Sequence, residues 1–214
     1  MTAQTIAQKA TPRLDRVGAA CLVVGGIAFL AYGPMHPRGT DEGDKLEQLH
    51  SMLVESLWYP AHAVAIAAFA LITAGILGIR RRASTTPSMA RLVTGVSVVS
   101  VIATLGSVVH LFAATQAAAT GRGESTALVK LFIGVETVVN PVWGLAIAAL
   151  AVAGGLTGAV GNRFVLALGL LGGVVFALFN ATIASTDLFD AIAPGMALIG
   201  VWAAAVGVSG LRHP

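Results

Sequence analysis

The sequence predicts an all-α integral membrane protein, and its composition and its long apolar runs both support that prediction. Hydrophobic residues make up 56% of the 214 residues, and charged residues make up only 11%. A soluble domain carries about 25% charged residues, so this chain lacks the polar groups needed to cover a globule in water. The composition therefore excludes a conventional cytosolic enzyme and a disordered chain.

Six apolar windows are long enough to cross a membrane, because a helix needs roughly 20 residues to span a hydrocarbon layer ~30 Å thick. These windows are rich in Ala, Leu and Gly and show no period-2 alternation, which favours helices over strands. We expect one transmembrane domain over residues 1–214, a bundle of six helices. The predicted spans are Val17–Met35, Trp58–Ile79, Leu92–Thr115, Val138–Ala159, Phe164–Ala184 and Pro194–Leu211.

The basic residues predict the orientation of this bundle. One side collects nine of them: Lys9, Arg13, Arg16, Arg80, Arg81, Arg82, Arg91, Arg163 and Arg212. The other side collects four: Arg38, Lys45, Arg122 and Lys130. The positive-inside rule then places both termini in the cytoplasm, and we expect a multi-pass protein of a bacterial inner membrane. Nine of the ten acidic residues fall on the outer side, Asp15 being the exception.

Charge and cysteine content exclude several classes of partner and site. The net charge is only +3, so the basic pI reflects few acids, and we expect no nucleic-acid partner. The expected partners are the lipid bilayer and other membrane-protein subunits. Cys21 is the single cysteine, which excludes a disulfide framework, a CxxC redox pair and a zinc finger.

The first outer loop is predicted to contain a short interfacial helix. Asp44 and Glu47 have the spacing of a capping box. One helical face through Asp44–Leu57 carries leucine: Leu46, Leu49, Leu53 and Leu57. His50 shares this face and forms an ExxH pair with Glu47, a spacing used in carboxylate-bridged di-metal sites. Such sites need two of these motifs, and only one occurs in this chain.

Histidines from separate segments are predicted to reach one depth at the outer side. His62 precedes Arg80 by 18 residues and His110 follows Arg91 by 19 residues, so both lie about 27–28 Å from the inner side at 1.5 Å per residue. His36 ends the first span on the same side, and Glu136 begins the fourth span there.

This convergence predicts a metal centre. The first form of the hypothesis is a b-type haem held between His62 and His110, which would make the protein a small electron-transfer or sensing module. The second is a divalent ion held by a subset of five side chains, which would make a metal-binding or metallo-hydrolytic site. The five are His36, His50, His62, His110 and Glu136. The alternative for each of these side chains is a structural role, in which it is hydrogen-bonded to the backbone and binds no metal.

Two further functional classes stay open. One is a non-catalytic accessory or lipid-binding subunit of a membrane complex, in which the histidines only hold the outer cap together. The other is a small transporter, using Glu136, Asn180 and a polar stripe along the third span. The stripe comprises Thr94, Ser97, Ser100, Thr104, Ser107 and His110. Hydroxyl residues are ordinary at contacts between transmembrane helices, which favours a packing role for the stripe.

Two smaller features carry expectations about the fourth span and the aromatic residues. Pro141 removes a backbone hydrogen bond to Thr137 and is expected to kink the span just below Glu136. The Trp58–Tyr59 pair and Trp143 are interpreted as aromatic residues at the membrane interface.

Residues 36–62 carry a family resemblance. His36–Pro37, a short acidic loop and then the run Trp-Tyr-Pro-Ala-His at 58–62 resemble a pattern in uncharacterised bacterial multi-pass membrane proteins. The resemblance covers about the first third of the chain and implies no established activity. No metalloprotease HExxH, GxSxG elbow or Walker loop occurs in the sequence. No catalytic residue is therefore assigned, and whether the protein is an enzyme is left open.

Overall fold

The computed structural model describes residues 16–40, 42–80 and 86–212, and within these residues the chain is helical with no strand. The α-helices are α1 Arg16–Met35, α2 Lys45–Leu53, α3 Trp58–Arg80, α4 Pro87–Ala113, α5 Ala117–Thr120, α6 Ala127–Gly134, α7 Asn140–Thr157, α8 Arg163–Thr182 and α9 Ala197–Arg212. A π-helical turn, Val135–Val139, joins α6 to α7, and 3₁₀ turns at Ala114–Gln116 and Asp190–Met196 precede α5 and α9.

Six helical segments in the described part of the chain are long and apolar enough to cross a membrane, which confirms the prediction of six helices of spanning length and is compatible with a multi-pass membrane protein. They are Arg16–Met35, Trp58–Arg80, Pro87–Thr120, Ala127–Thr157, Arg163–Thr182 and Asp190–Arg212. The third and fourth begin earlier than the predicted windows. Thr86 caps the third at Met89 N, and Thr126 caps the fourth at Val129 N. Each capping threonine starts its helix before the apolar window does, so a prediction from hydropathy alone places the beginning of the helix too late.

The helices pack as a bundle in which α1 lies against both α3 and α9, α3 lies against α4, and α7 lies against α8. Glycine pairs permit the closest approaches. A Cβ atom on Gly18 would lie 3.1 Å from the Cα of Gly78, across the α1–α3 contact. A Cβ atom on Gly144 would lie 2.6 Å from the carbonyl oxygen of Gly173, across the α7–α8 contact. Small residues therefore bring these backbones together, as they do at helix contacts in membrane-protein bundles.

The two ends of the bundle differ in charge. One end, here called the arginine end, carries five exposed arginines at helix termini or within the first two turns: Arg16, Arg80, Arg91, Arg163 and Arg212. The opposite end, the histidine end, carries all eight acidic residues among the described positions. Lys9, Arg13, Asp15, Arg81 and Arg82, which entered the orientation prediction, lie outside the described residues. Which end faces the cytoplasm stays a prediction.

The first loop contains a short helix where one was predicted, with a shorter extent, and its position at a membrane interface stays a prediction. Asp44 caps it by accepting from the backbone N–H groups of Leu46 and Glu47, and Glu47 completes the predicted capping box. The helix ends at Leu53, and Leu57 is 48% exposed in the turn that leads to α3. Leu49 and Leu53 are buried in a small hydrophobic cluster, to which α4 and α6 also contribute side chains. Lys45 forms an ion pair with Asp187, which ties α2 to the segment that follows α8.

Trp58 and Trp143 are core residues, so the prediction of interface positions is wrong for both. Each is 1% exposed or less. The Nε1–H of Trp143 donates to Ser100 Oγ at 3.1 Å, and the Nε1–H of Trp58 donates to the carbonyl oxygen of His110 at 3.2 Å. A partner inside the bundle satisfies each indole N–H, which removes the need for the polar interface.

Candidate functional site

Three histidines from three separate segments form a row at the histidine end. His36 follows α1, His62 lies in the first turns of α3, and His110 lies near the end of α4. The ring centroids of His36 and His62 are 5.2 Å apart, and those of His62 and His110 are 5.9 Å apart. His62 is 1% exposed and His110 is 5% exposed. The equal depth predicted from helix rise therefore corresponds to ring contact between His62 and His110.

The three imidazoles share one tautomeric arrangement. Each Nδ1 atom is within hydrogen-bond distance of a backbone carbonyl oxygen. His36 Nδ1 is 2.9 Å from the oxygen of Pro37, and His62 Nδ1 is 2.7 Å from that of Trp58. His110 Nδ1 is 3.0 Å from the oxygen of Gly106. A carbonyl oxygen can only accept, so each Nδ1 must carry the proton and donate it. In a neutral ring the lone pair then resides on Nε2.

Glu136 extends the row by a direct contact with His110. Nε2 of His110 is hydrogen-bonded to Oε1 of Glu136, and the two side chains are 7% and 14% exposed. Because Nδ1 of His110 already carries a proton, this second bond holds one further proton between imidazole and carboxylate. The other oxygen of Glu136 accepts from Nδ2 of Asn140 at 3.2 Å, and Asn140 Nδ2 also donates to Asn180 at 3.1 Å. The cluster thus connects α4 to α7 and α8.

The position of Glu136 depends on the π-helical turn. Glu136 is the second residue of Val135–Val139, and Pro141 follows at the beginning of α7. Pro141 has no N–H, so the ordinary α-helical bond to the Thr137 carbonyl cannot form. The predicted distortion therefore takes the form of a π turn, a wider turn that is often found at functional sites.

Three aromatic side chains enclose the histidine row, and none of them was predicted as part of a site. Trp58 stacks on His62 with ring centroids 4.0 Å apart. Phe132 lies edge-on against His110 at 4.7 Å, and Tyr32 lies edge-on against His36 at 5.3 Å. The spacing of Tyr32, four residues before His36, places both on one helical face, and this signal could have identified it.

His50 lies away from this row, although the sequence grouped it with the other ligand candidates. Its Nδ1 is 3.3 Å from Thr120 Oγ1, and its ring lies against Gly121. It lines a separate open groove with Asp44 and Glu47. Among the described residues, no ring contact joins His50 to the other three histidines. The structure therefore separates the ExxH pair from the histidine row.

One buried nitrogen atom of the row has no partner among the residues that the structure describes. Nε2 of His62 is buried and makes no hydrogen bond with any described residue. Within the same part of the chain, no group of three or more His, Cys, Asp or Glu side chains is already arranged to hold a metal ion.

Burial lowers the pKa of His36 below its usual value, and the nearby Glu136 carboxylate only partly opposes this, which favours the neutral ring.

The polar stripe of α4 is satisfied largely within its own helix. Hydroxyl groups of four residues donate to the carbonyl four positions earlier: Thr94, Ser97, Thr104 and Ser107. Thr104 also bonds Thr73 of α3 at 3.1 Å, and Ser100 accepts from Trp143. These bonds agree with the interpretation of the stripe as a packing surface.

Comparison of the chain with protein-family models, with curated proteins and with solved structures finds no match.

Proposed function

We propose that the row formed by His36, His62, His110 and Glu136 is the functional centre of this integral membrane protein and binds a divalent transition-metal ion. One observation carries the proposal: all three histidines donate Nδ1–H to a backbone carbonyl. Histidines that bind metals commonly have the second ring nitrogen held in this way, which sets the tautomer and directs the Nε2 lone pair.

His62 is the primary ligand in this proposal. Its Nε2 is buried without a hydrogen-bond partner among the described residues. Leaving such an atom unpaired costs about 1–3 kcal/mol, and a bound cation would remove that cost. His36 and His110 flank it at ring distances of 5.2 and 5.9 Å, and Glu136 supplies a carboxylate beside His110. Imidazole with one carboxylate suits zinc, cobalt, nickel or copper better than the harder calcium or magnesium.

Binding requires a local rearrangement of His110 and Glu136. In the structure, Nε2 of His110 is occupied by the proton that it shares with Glu136. A metal ion that uses this nitrogen must displace that proton, so we expect proton release on binding. Glu136 belongs to the π turn, a kind of turn that is frequently found at functional sites.

The contacts favour a bare ion over a haem. A haem iron between His62 and His110 would need Nε2 of both rings, with the porphyrin disc between them. Nε2 of His110 is instead held by Glu136, and Trp58 and Phe132 pack directly on the two imidazoles. The haem hypothesis, the accessory-subunit hypothesis and the transporter hypothesis stay predictions.

Metal titration of the full-length protein, purified in detergent without a polyhistidine tag, tests the proposal. We expect one equivalent of Co²⁺ or Zn²⁺ to bind, seen by isothermal titration and by visible Co²⁺ absorption bands. His62→Gln removes the Nε2 lone pair and should weaken binding by roughly 100-fold or more, because the loss of a residue that only orients a ligand already costs about 10–100-fold. His50→Gln is the matched control and should retain the affinity.

Two outcomes would overturn the proposal. One is no stoichiometric binding of Co²⁺, Zn²⁺, Ni²⁺ or Cu²⁺ by a protein whose helicity and melting are normal. The other is equal affinity in the His62→Gln protein and the wild type. A Soret band in the visible spectrum of the purified protein would favour the haem form of the centre.

A further inference from the structure

An open apolar groove lies at the arginine end, far from the histidine row. Its volume is about 370 Å³, and five of its six lining residues are apolar or small. The lining residues are Arg16, Val17, Ala20, Cys21, Val24 and Leu71. All but Leu71 belong to the first three turns of α1, so the groove extends about 12 Å along that helix at 1.5 Å per residue.

The groove arises from the way α1 meets α3. Gly18 lies on Gly78 at that contact, which brings the two backbones together next to the groove. Ala20 and Cys21 are small, whereas Val17 and Val24, one turn away on either side, are 68% and 53% exposed. The result is a shallow, open groove bordered by branched apolar side chains, against which a hydrocarbon chain can lie.

Arg16 gives the groove a positive end. Its side chain is exposed, and no ion pair links it to any described acidic residue. Arg80 ends α3 at the same end of the bundle, and every described acidic residue lies at the opposite end. Asp15, which the sequence also places at the arginine end, lies outside the described residues. The groove therefore has an apolar lining and a positively charged side chain, Arg16, at one end.

We propose that this groove binds an anionic phospholipid, with the phosphate on Arg16 and an acyl chain along Val17, Cys21 and Val24. A guanidinium can hold two oxygens of a phosphate at once, which a point charge cannot do. A zwitterionic lipid also carries a cationic head group, which the arginines of this end disfavour. The groove thus selects for a net negative head group and does not depend on the metal proposal.

Cys21 provides a direct probe, because it is the chain's single cysteine and lines the groove. The measurement is the rate of Cys21 alkylation by N-ethylmaleimide in the full-length protein in a neutral detergent. We expect added phosphatidylglycerol to slow alkylation about tenfold at saturation, and added phosphatidylcholine to have little effect. Arg16→Gln should abolish the difference between the two lipids.

Arg163→Gln is the matched control, since Arg163 is an exposed arginine of the same end that does not line the groove. It should retain the protection by phosphatidylglycerol. Equal protection by both lipids, full protection in the Arg16→Gln protein, or equal loss in the two arginine variants would overturn the proposal.

A second variant keeps the test decisive if Arg16→Gln is poorly folded. Ala20→Phe fills the groove and leaves Arg16 in place. Native mass spectrometry should then find phosphatidylglycerol retained by the wild type and lost from the Ala20→Phe protein. Equal retention by both proteins would place the lipid elsewhere and contradict the proposal.

Discussion

His110 and Glu136 are 26 positions apart on separate helices, and they form a largely buried hydrogen-bonded pair, with side chains 7% and 14% exposed, at the histidine end of the bundle. The pair is the point at which α4, the π turn and α7 meet. It also connects the histidine row to Asn140 and Asn180. The consequences of removing it can be measured independently of any ligand.

Glu136→Ala is expected to destabilise the protein by about 2–3 kcal/mol, because it leaves Nε2 of His110 and Nδ2 of Asn140 short of an acceptor in a buried site. Glu136→Gln keeps an acceptor oxygen and should cost less. Unfolding in SDS titrations measures both. Glu124→Gln breaks an exposed pair with Arg122 and should leave the unfolding midpoint unchanged. Equal midpoints for Glu136→Ala and Glu124→Gln would contradict this prediction.

The α7–α8 contact should be sensitive to a single methyl group. A Cβ on Gly144 would lie 2.6 Å from the carbonyl oxygen of Gly173, so backbone must move to accept it. We expect Gly144→Ala to destabilise the protein by about 1–3 kcal/mol through overpacking. Gly95→Ala is the control, because a Cβ there meets nothing within 4 Å and alanine favours a helix interior. Thermal melts that rank the two variants in the opposite order would refute the close approach.

Two buried tryptophans permit a matched test of a hydrogen bond inside the bundle. Trp143 donates to Ser100, whereas Nε1 of Trp202 has no hydrogen-bond partner among the described residues. Both side chains are fully buried. Trp143→Phe and Trp202→Phe remove similar volume, so Trp143→Phe should cost about 1 kcal/mol more through its lost hydrogen bond. Equal free energies of unfolding would show that the Trp143–Ser100 bond contributes nothing net.

His36 should contribute to loss of stability in acid. In the unfolded chain His36 has its ordinary pKa of 6.5 and takes up a proton as the pH falls through that value. In the folded protein burial lowers this pKa. The unfolded state then binds more protons, so stability from this residue is present above pH 6.5 and decreases below it. SDS unfolding of the metal-free protein between pH 7.5 and 5 should show a shallower decrease for His36→Asn than for the wild type. An unchanged slope would contradict the lowered pKa.

Local patterns in the sequence were sufficient to predict the helices and how far along each helix a residue lies. Apolar run length predicts the six spans, and the capping pattern of Asp44 and Glu47 predicts the beginning of α2. Helix rise predicts that His62 and His110 share a level. Each of these inferences depends on one segment and its regular geometry, so no knowledge of the neighbouring helices is required.

The tertiary structure decided which side chains at that level meet, because rotation about each helix axis is set by packing. Glycine contacts bring α7 onto α8, the π turn directs Glu136 to His110, and Tyr32 and Trp58 enclose the imidazoles. His50 reaches the same end on α2 but lies against Thr120 instead. Composition and spacing specify how far a residue lies along a helix, whereas its neighbours follow only from contacts between helices distant in sequence.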